Sequence, residues 1–145
     1  MKTFSDKELQ QMRPSDFSIS INYSQEIELE QLYNDEGAYV FLDGECHVFA
    51  KALNDVYGYG IFRLEKDAHY FCKAIDHGDC YYIDVRGICK EKYHFLHRFA
   101  CKADINICIP CDGVDIDYDA RYEFAKKIIE KNYLHYKYDR CDDKG

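Results

Sequence analysis

The stretch from Cys46 to Arg86 restricts the fold more than any other part of the chain. Apolar residues recur there as Cys46, Phe49, Ala50, Leu53 and Tyr57, which is one stripe of a helix. Gly58 follows where a helix favours a left-handed residue at its end. Three strand-like runs come next, Gly60–Glu65, His69–Ile75 and Cys80–Val85. Asp76-His77-Gly78-Asp79 between the last two reads as a tight hairpin turn. An amphipathic helix followed by antiparallel strands must bury its stripe against the sheet, which predicts an α+β architecture.

The flanks fit this frame. Ser5-Asp6-Lys7-Glu8 has the spacing of a capping box, predicting a short helix over about 6–12 that Pro14 ends. Phe17 to Tyr23 alternates apolar and polar residues as a strand does, and Ser24 stands where it would cap a helix running to about Asn34. Ala38–Leu42 is a short apolar run, and Asp43-Gly44-Glu45 a turn. Glu91 to about Ala100 has a helical pattern, and residues 103–118 are mixed. Asp119–Tyr138 reads as a long closing helix with Tyr122, Ala125, Ile128, Ile129 and Tyr133 on one side. The 145 residues fit one domain over 1–145, with helices at both ends.

Charge narrows the partners. Nineteen Lys and Arg against 27 Asp and Glu leave a net charge of −8, which disfavours nucleic acid and anionic membranes. No apolar run is long enough to span a bilayer, and residues 1–8 lack the apolar core of a secretory signal. Eight cysteines in such a chain point to reduced thiols in a cytoplasmic setting rather than to a disulfide framework. There is no G-x-G-x-x-G, Walker loop or haem attachment signature, so no cofactor is expected.

One cysteine stands apart by position. Cys46 heads the central helix, where the dipole and amides without intrahelical partners favour thiolate and offer donors to an oxyanion. A hairpin closed at His77-Gly78 pairs Ile75 with Cys80, Phe71 with Asp84 and His69 with Arg86. His69, Phe71, Asp84 and Arg86 then share one face, with His69 and Asp84 as diagonal neighbours. A slip of one residue would separate them.

These residues resemble the papain-like/transglutaminase-like cysteine superfamily. The likeness rests on Asp43-Gly44-Glu45-Cys46-His47-Val48-Phe49-Ala50-Lys51-Ala52-Leu53, on His69, and on Tyr82-Ile83-Asp84-Val85-Arg86-Gly87. It covers about residues 38–87, and its short separations are similar to those of compact bacterial and phage members. It implies acyl transfer at an amide or thioester of a protein or peptide: peptidase, amidase, deamidase or transglutaminase-type chemistry. Cys46 would be the nucleophile, His69 the general base and acid, and Asp84 the residue that fixes the His69 tautomer. The backbone N–H of Cys46 would be one oxyanion donor. The upstream glutamine of papain-type oxyanion holes is missing, with Val40 at its spacing and Gln31, Asn34 and Tyr39 as substitutes among which the sequence does not choose.

Blander readings compete. A cysteine on an apolar stripe is most often packing. His47 is a rival base, although adjacent helix positions point about 100° apart, which argues against its reaching the same thiol. His77 in the turn reads as solvated. Cys89, His94, His97 and Cys101 have ligand-type side chains, and Cys108 and Cys111 form a lone C-x2-C, but neither cluster has a convincing second pair for zinc. The tyrosines Tyr133, Tyr136 and Tyr138 read as closing the core, and Asp112, Asp115, Asp117 and Asp119 as a solvated face. A non-catalytic acidic binding or inhibitor protein on the same fold is the alternative to an enzyme.

Overall fold

A computed structural model describes residues 3–19, 36–42, 44–64, 69–90, 108–111 and 113–138, and for 108–110 only the backbone. The architecture is α+β. Helix α1 (Asp6–Gln10) opens the chain with the capping box in place: the Glu8 N–H donates to Ser5 Oγ at 3.2 Å and the Ser5 N–H to Glu8 Oε1 at 3.0 Å. Helix α2 (Cys46–Tyr57) is the central element, and Gly58 ends it in the left-handed conformation. Helices α3 (Ala120–Lys131) and α4 (Tyr133–Tyr136) close the chain.

Between α2 and α3 lie β1 (Gly60–Leu64), β2 (Tyr70–Asp76), β3 (Asp79–Asp84), β4 (Gly87–Cys89) and β5 (Cys108–Pro110). They form one sheet in the order β4-β3-β2-β1-β5, with every neighbouring pair antiparallel. β5 falls within the stretch the sequence pattern leaves as mixed. Its recognition rests on pairing with β1, Arg63 opposite Ile109, which a three-residue run cannot announce locally.

The β2–β3 turn has the register its residues imply. Ile75 pairs with Cys80 and Cys72 with Ile83, and the two turn residues His77 and Gly78 both have positive φ, 52° and 85°. That is the geometry in which the turn twist matches the strand twist. Side chains therefore alternate as expected. Cys72 points to α2, where its thiol donates to the Ala50 carbonyl at 3.3 Å. The opposite face carries Phe71, whose ring lies 6.2 Å from both His69 and Tyr82.

The core lies between α2, the sheet and α3. Val48, Phe49, Ala50, Ala52 and Leu53 of α2 are buried, as are Tyr122, Phe124, Ala125, Ile128 and Ile129 of α3. Phe41 sits 5.4 Å from both Phe49 and Phe124, and Phe49 is 5.4 Å from Tyr136. Tyrosine hydroxyls join the layers. Tyr136 donates to the Val85 carbonyl at 2.6 Å, Tyr59 to the Tyr136 carbonyl at 2.8 Å, and Tyr122 to Asp55 at 2.8 Å.

Several local expectations are corrected. Pro14–Phe17 is a 3-10 turn and Ser18 is left-handed, so no strand begins at Phe17. Pro14 presets the turn, and the Asp16 carboxylate accepts the Arg13 N–H at 3.0 Å. Residues 20–35, with the helix expected after Ser24, lie outside the described residues, as does the helix expected over 91–100. The apolar run before α2 is a 3-10 turn over Gly37–Phe41. The closing helix breaks at Asn132, whose side-chain amide donates to the Ile128 carbonyl at 3.0 Å. The break turns Tyr133 outward to 54% exposure and Tyr136 inward to 0%.

Gly37 holds the segment before α2 against α1. Its φ is +60°, and a Cβ there would stand 2.6 Å from the carbonyl oxygens of Gln10 and Met12. Gly78 also has positive φ, but a Cβ there would meet nothing within 4 Å. Gly78→Ala should therefore cost only the left-handed strain, about 1–2 kcal/mol. Gly37→Ala should cost clearly more. Urea denaturation of the two variants checks the ranking; equal losses would contradict the close approach at Gly37.

Candidate active site

Cys46 is the first residue of α2, and the residue ahead of it gives the helix no side-chain cap. Glu45 occupies the N-cap position but makes no side-chain capping bond. A Ser, Thr or Asp there would engage an amide of the first turn. Cys46, as the first helical residue, stands at the positive end of the helix dipole. The sulfur lies at the N-terminal edge of β2, where the Tyr70 N–H donates to Sγ at 3.4 Å.

His69 directly precedes β2 and Asp84 ends β3, and the hairpin brings them together. His69 Nε2 and Asp84 Oδ2 are 2.9 Å apart, with 2% and 3% of their side chains exposed. With Nε2 committed to Asp84, Nδ1 is the nitrogen left for Cys46, and His69 hydrogen-bonds the thiol. The structure thus brings together all three residues singled out from the sequence. Arg86 completes the set. Its Nη2 lies 2.6 Å from Asp84 Oδ2, its Nε 3.0 Å from Oδ1, and its backbone N–H donates to Oδ1 at 2.9 Å.

His47 corrects one expectation. Despite the angle between adjacent helix positions, its ring is close enough to the Cys46 thiol to lower the thiol's pKa. The first turn makes this contact possible, since the sulfur stands at the helix end rather than under a following turn. Tyr70 flanks the ring edge-on at 6.1 Å between centroids. The adjacency of the two residues in sequence is the only signal that could have suggested the contact.

Electrostatics follows from this geometry. Burial pushes the Cys46 thiol up, but hydrogen bonds from His47 and His69, the His69 charge and the Tyr70 N–H outweigh it and bring the pKa down to about 6. Burial opposes the charged form of His69, yet Asp84 and Cys46 raise its pKa above the ordinary histidine value. Asp84 is buried too, but the Arg86 charge and the bonds from His69 and Arg86 hold its carboxyl well below the usual range. Cys72 is the contrast: burial, with Asp84 adding to it, drives its thiol strongly upward. One cysteine of the same core is poised as thiolate and the other stays neutral.

An open pocket of about 170 Å³ is lined by His47, Val48, Asp115, Ile116, Asp117 and Arg121. Asp115 and Asp117 are exposed, as expected for a solvated face. Arg121 binds Asp119 through Nε at 3.1 Å and Nη2 at 2.8 Å, and reaches Glu45 at 3.7 Å. Val40, at the spacing of a papain-type glutamine, is buried in the core. Gln31 and Asn34 lie outside the described residues, and Tyr39 is half-buried beside the core. His77 is exposed in its turn.

Cys46, Cys72, Cys80, Cys89 and Cys111 form no disulfide. Among the described residues no three His, Cys, Asp or Glu side chains converge as metal ligands. His94, His97 and Cys101 lie outside them, as does the side chain of Cys108. No helix among the described residues is long and apolar enough to cross a membrane. No protein-family model matches the chain, and no curated protein or solved structure matches it.

Two outcomes follow. Alkylation by iodoacetamide should concentrate on Cys46, with a rate that falls as pH drops through about 6. A free thiol loses reactivity near 8.5 instead. His69→Ala should move the Cys46 midpoint upward, and equal labelling of all eight cysteines would contradict the assignment. For Asp84, a depressed folded pKa means stability present above an unfolded pKa of about 3.9 and lost as pH falls toward the folded value. Arg86→Ala should cost about 3–5 kcal/mol at neutral pH, and the cost should shrink below about pH 4. Urea denaturation across pH reads both.

Proposed function

We propose that this chain is a cysteine hydrolase or acyltransferase of papain-like type that acts on an amide in a protein or peptide. The observation that carries the reading is the buried His69–Asp84 pair at 2.9 Å, whose ring also bonds a Cys46 thiol lowered to about 6. A nucleophile, its base and the base's orienter in one line is what acyl transfer through a thiol requires.

The roles follow from the atoms. His69 holds the proton that leaves Cys46, and the thiolate Sγ attacks the amide carbonyl carbon. The carbonyl pair moves to oxygen, where the backbone N–H at the head of α2 would receive it. The pair returns, the C–N bond breaks, and His69 gives its proton to the departing nitrogen. Water, deprotonated by the same ring, then hydrolyses the thioester, or another amine takes the acyl group. Asp84 keeps Nε2–H engaged and stabilises the imidazolium. Peptide cleavage and side-chain deamidation share these steps and differ only in which amide is presented. The net charge of −8 accords with a partner that is a protein or peptide rather than nucleic acid, and the eight cysteines with a reduced, cytoplasmic setting.

An activated ester tests the chemistry without knowledge of the substrate. With p-nitrophenyl acetate, the wild type should release a stoichiometric burst of nitrophenolate and carry one acetyl group on Cys46, located by peptide mass spectrometry. Cys46→Ala should give neither, and His69→Ala should slow the burst by about 10²–10⁴-fold. No acyl adduct on a wild type whose Cys46 alkylates normally would refute the reading and leave a binding protein. Capture of substrate by Cys46→Ala would then identify the amide.

A further inference from the structure

The turn that carries Arg86 is held by two distant parts of the chain. Asp84 pairs with Gly87, so Val85 and Arg86 are the two turn residues and their carbonyls lie outside the ladder. Buried carbonyls of that kind need donors from elsewhere. Val85 is fully buried, and the Tyr136 hydroxyl of α4 donates to its carbonyl at 2.6 Å. The Phe4 N–H donates to the Arg86 carbonyl at 2.7 Å, and Thr3 forms a β-bridge with Gly87. The two holds also meet each other. The Phe4 ring stacks on His135 at 3.8 Å between centroids and lies 6.2 Å from the Tyr136 ring.

The held turn delivers three contacts to one carboxylate. The Arg86 backbone N–H and Nε reach Asp84 Oδ1 at 2.9 and 3.0 Å, and Nη2 reaches Oδ2 at 2.6 Å. The N–H belongs to the turn itself, so a shift of the turn by about 1 Å would break that bond and slacken the fork. Asp84 Oδ2 is also the atom that meets His69 Nε2 at 2.9 Å. A carboxylate that follows the turn therefore takes the imidazole with it. Tyr136 is well placed to fix the turn: its ring is fully buried and packs 5.4 Å from Phe49. Burial, with the Asp84 charge adding to it, keeps the hydroxyl protonated and so always a donor.

We propose that Tyr136 and the Thr3-Phe4 strap are positioning elements for the base, which clamp the Val85-Arg86 turn and through Arg86 and Asp84 fix the His69 ring. The consequence for catalysis rests on the acyl-transfer reading above. Neither element touches the reacting atoms. The strap and α4 thus belong to the working parts of the site, although each lies far from Cys46 in sequence.

Tyr136→Phe removes only the hydroxyl and leaves the ring in the core. Tyr59→Phe is its matched control, because the Tyr59 hydroxyl bonds the Tyr136 carbonyl and not the turn. Phe4→Ala unseats the strap and keeps the Tyr136 hydroxyl. On folded protein with p-nitrophenyl acetate, Tyr136→Phe and Phe4→Ala should each slow the burst by about 10–10²-fold, the loss expected of a misplaced base. Tyr59→Phe should leave the rate unchanged. On an Asp84→Asn background Tyr136→Phe should slow the burst no further, since its effect passes through that carboxylate. An unchanged burst in Tyr136→Phe or Phe4→Ala would overturn the proposal, as would an equal loss in Tyr59→Phe or an undiminished effect beside Asp84→Asn.

A wild type without a burst would remove the acyl-transfer reading, and urea denaturation would still decide the clamp. His69 and Arg86 are the charged groups that meet Asp84, and Cys72 and Tyr136 are neutral neighbours. Asp84 draws on the turn only as a carboxylate, so the fall in urea midpoint caused by Tyr136→Phe should shrink below about pH 4, while that of Tyr59→Phe stays constant. A fall of equal size at pH 7 and below pH 4 would overturn the clamp and leave Tyr136 as an ordinary core residue.

Discussion

The buried Asp84 carboxylate sets the terms for everything around it. A charge at 3% exposure is costly unless opposite charge and hydrogen bonds surround it. Arg86 supplies the charge and a forked contact, and His69 supplies a further donor. Arg86 lies two residues from Asp84 and reaches it locally, whereas the contact to His69 crosses the hairpin and needs the observed β2–β3 register. The hairpin in turn depends on two turn residues with positive φ, one a histidine and one a glycine. The same register puts Cys72 and Ile83 against α2 and leaves His69 beside the helix start. Core packing and the geometry of the candidate site are therefore tied to one strand alignment.

The second constraint is the start of α2. Glu45 at the N-cap makes no capping bond, so the helix end is left for the thiol and its partners. This is a local departure from good helix design, and it falls at the proposed nucleophile, where such departures are expected. Tyr136, fully buried, ties α4 to the turn after β3 through the Val85 carbonyl, and Phe49 of α2 packs on its ring. The closing helices thus brace both the strand that carries Asp84 and the helix that carries Cys46.

Two cysteines of this core show how position rather than residue type decides reactivity. Cys46 and Cys72 are both buried, and burial raises the pKa of each. Cys46 alone has two imidazoles and a backbone N–H directed at its sulfur, and the balance reverses. Cys72 donates to a backbone carbonyl instead, a bond that only the protonated thiol can make.

Periodicity was enough to place α2, its glycine stop, the hairpin and its register, because these depend on neighbours within a few residues and on a two-residue turn. The sharing of a face by His69, Asp84 and Arg86 was readable for the same reason. At Phe17 itself the strand pattern yields to the local turn that Pro14 and Asp16 impose. β5 and the break at Asn132 were not legible, since one needs a distant strand to pair with and the other a side chain competing for a backbone carbonyl. The contact between His47 and Cys46 was hidden as well. Ideal helix geometry separates adjacent side chains, and only the packed site puts the ring within reach of a thiol at the helix end. Local pattern thus decided which residues could meet, while the packing of helix on sheet decided how deeply they are buried, and so which thiol is charged.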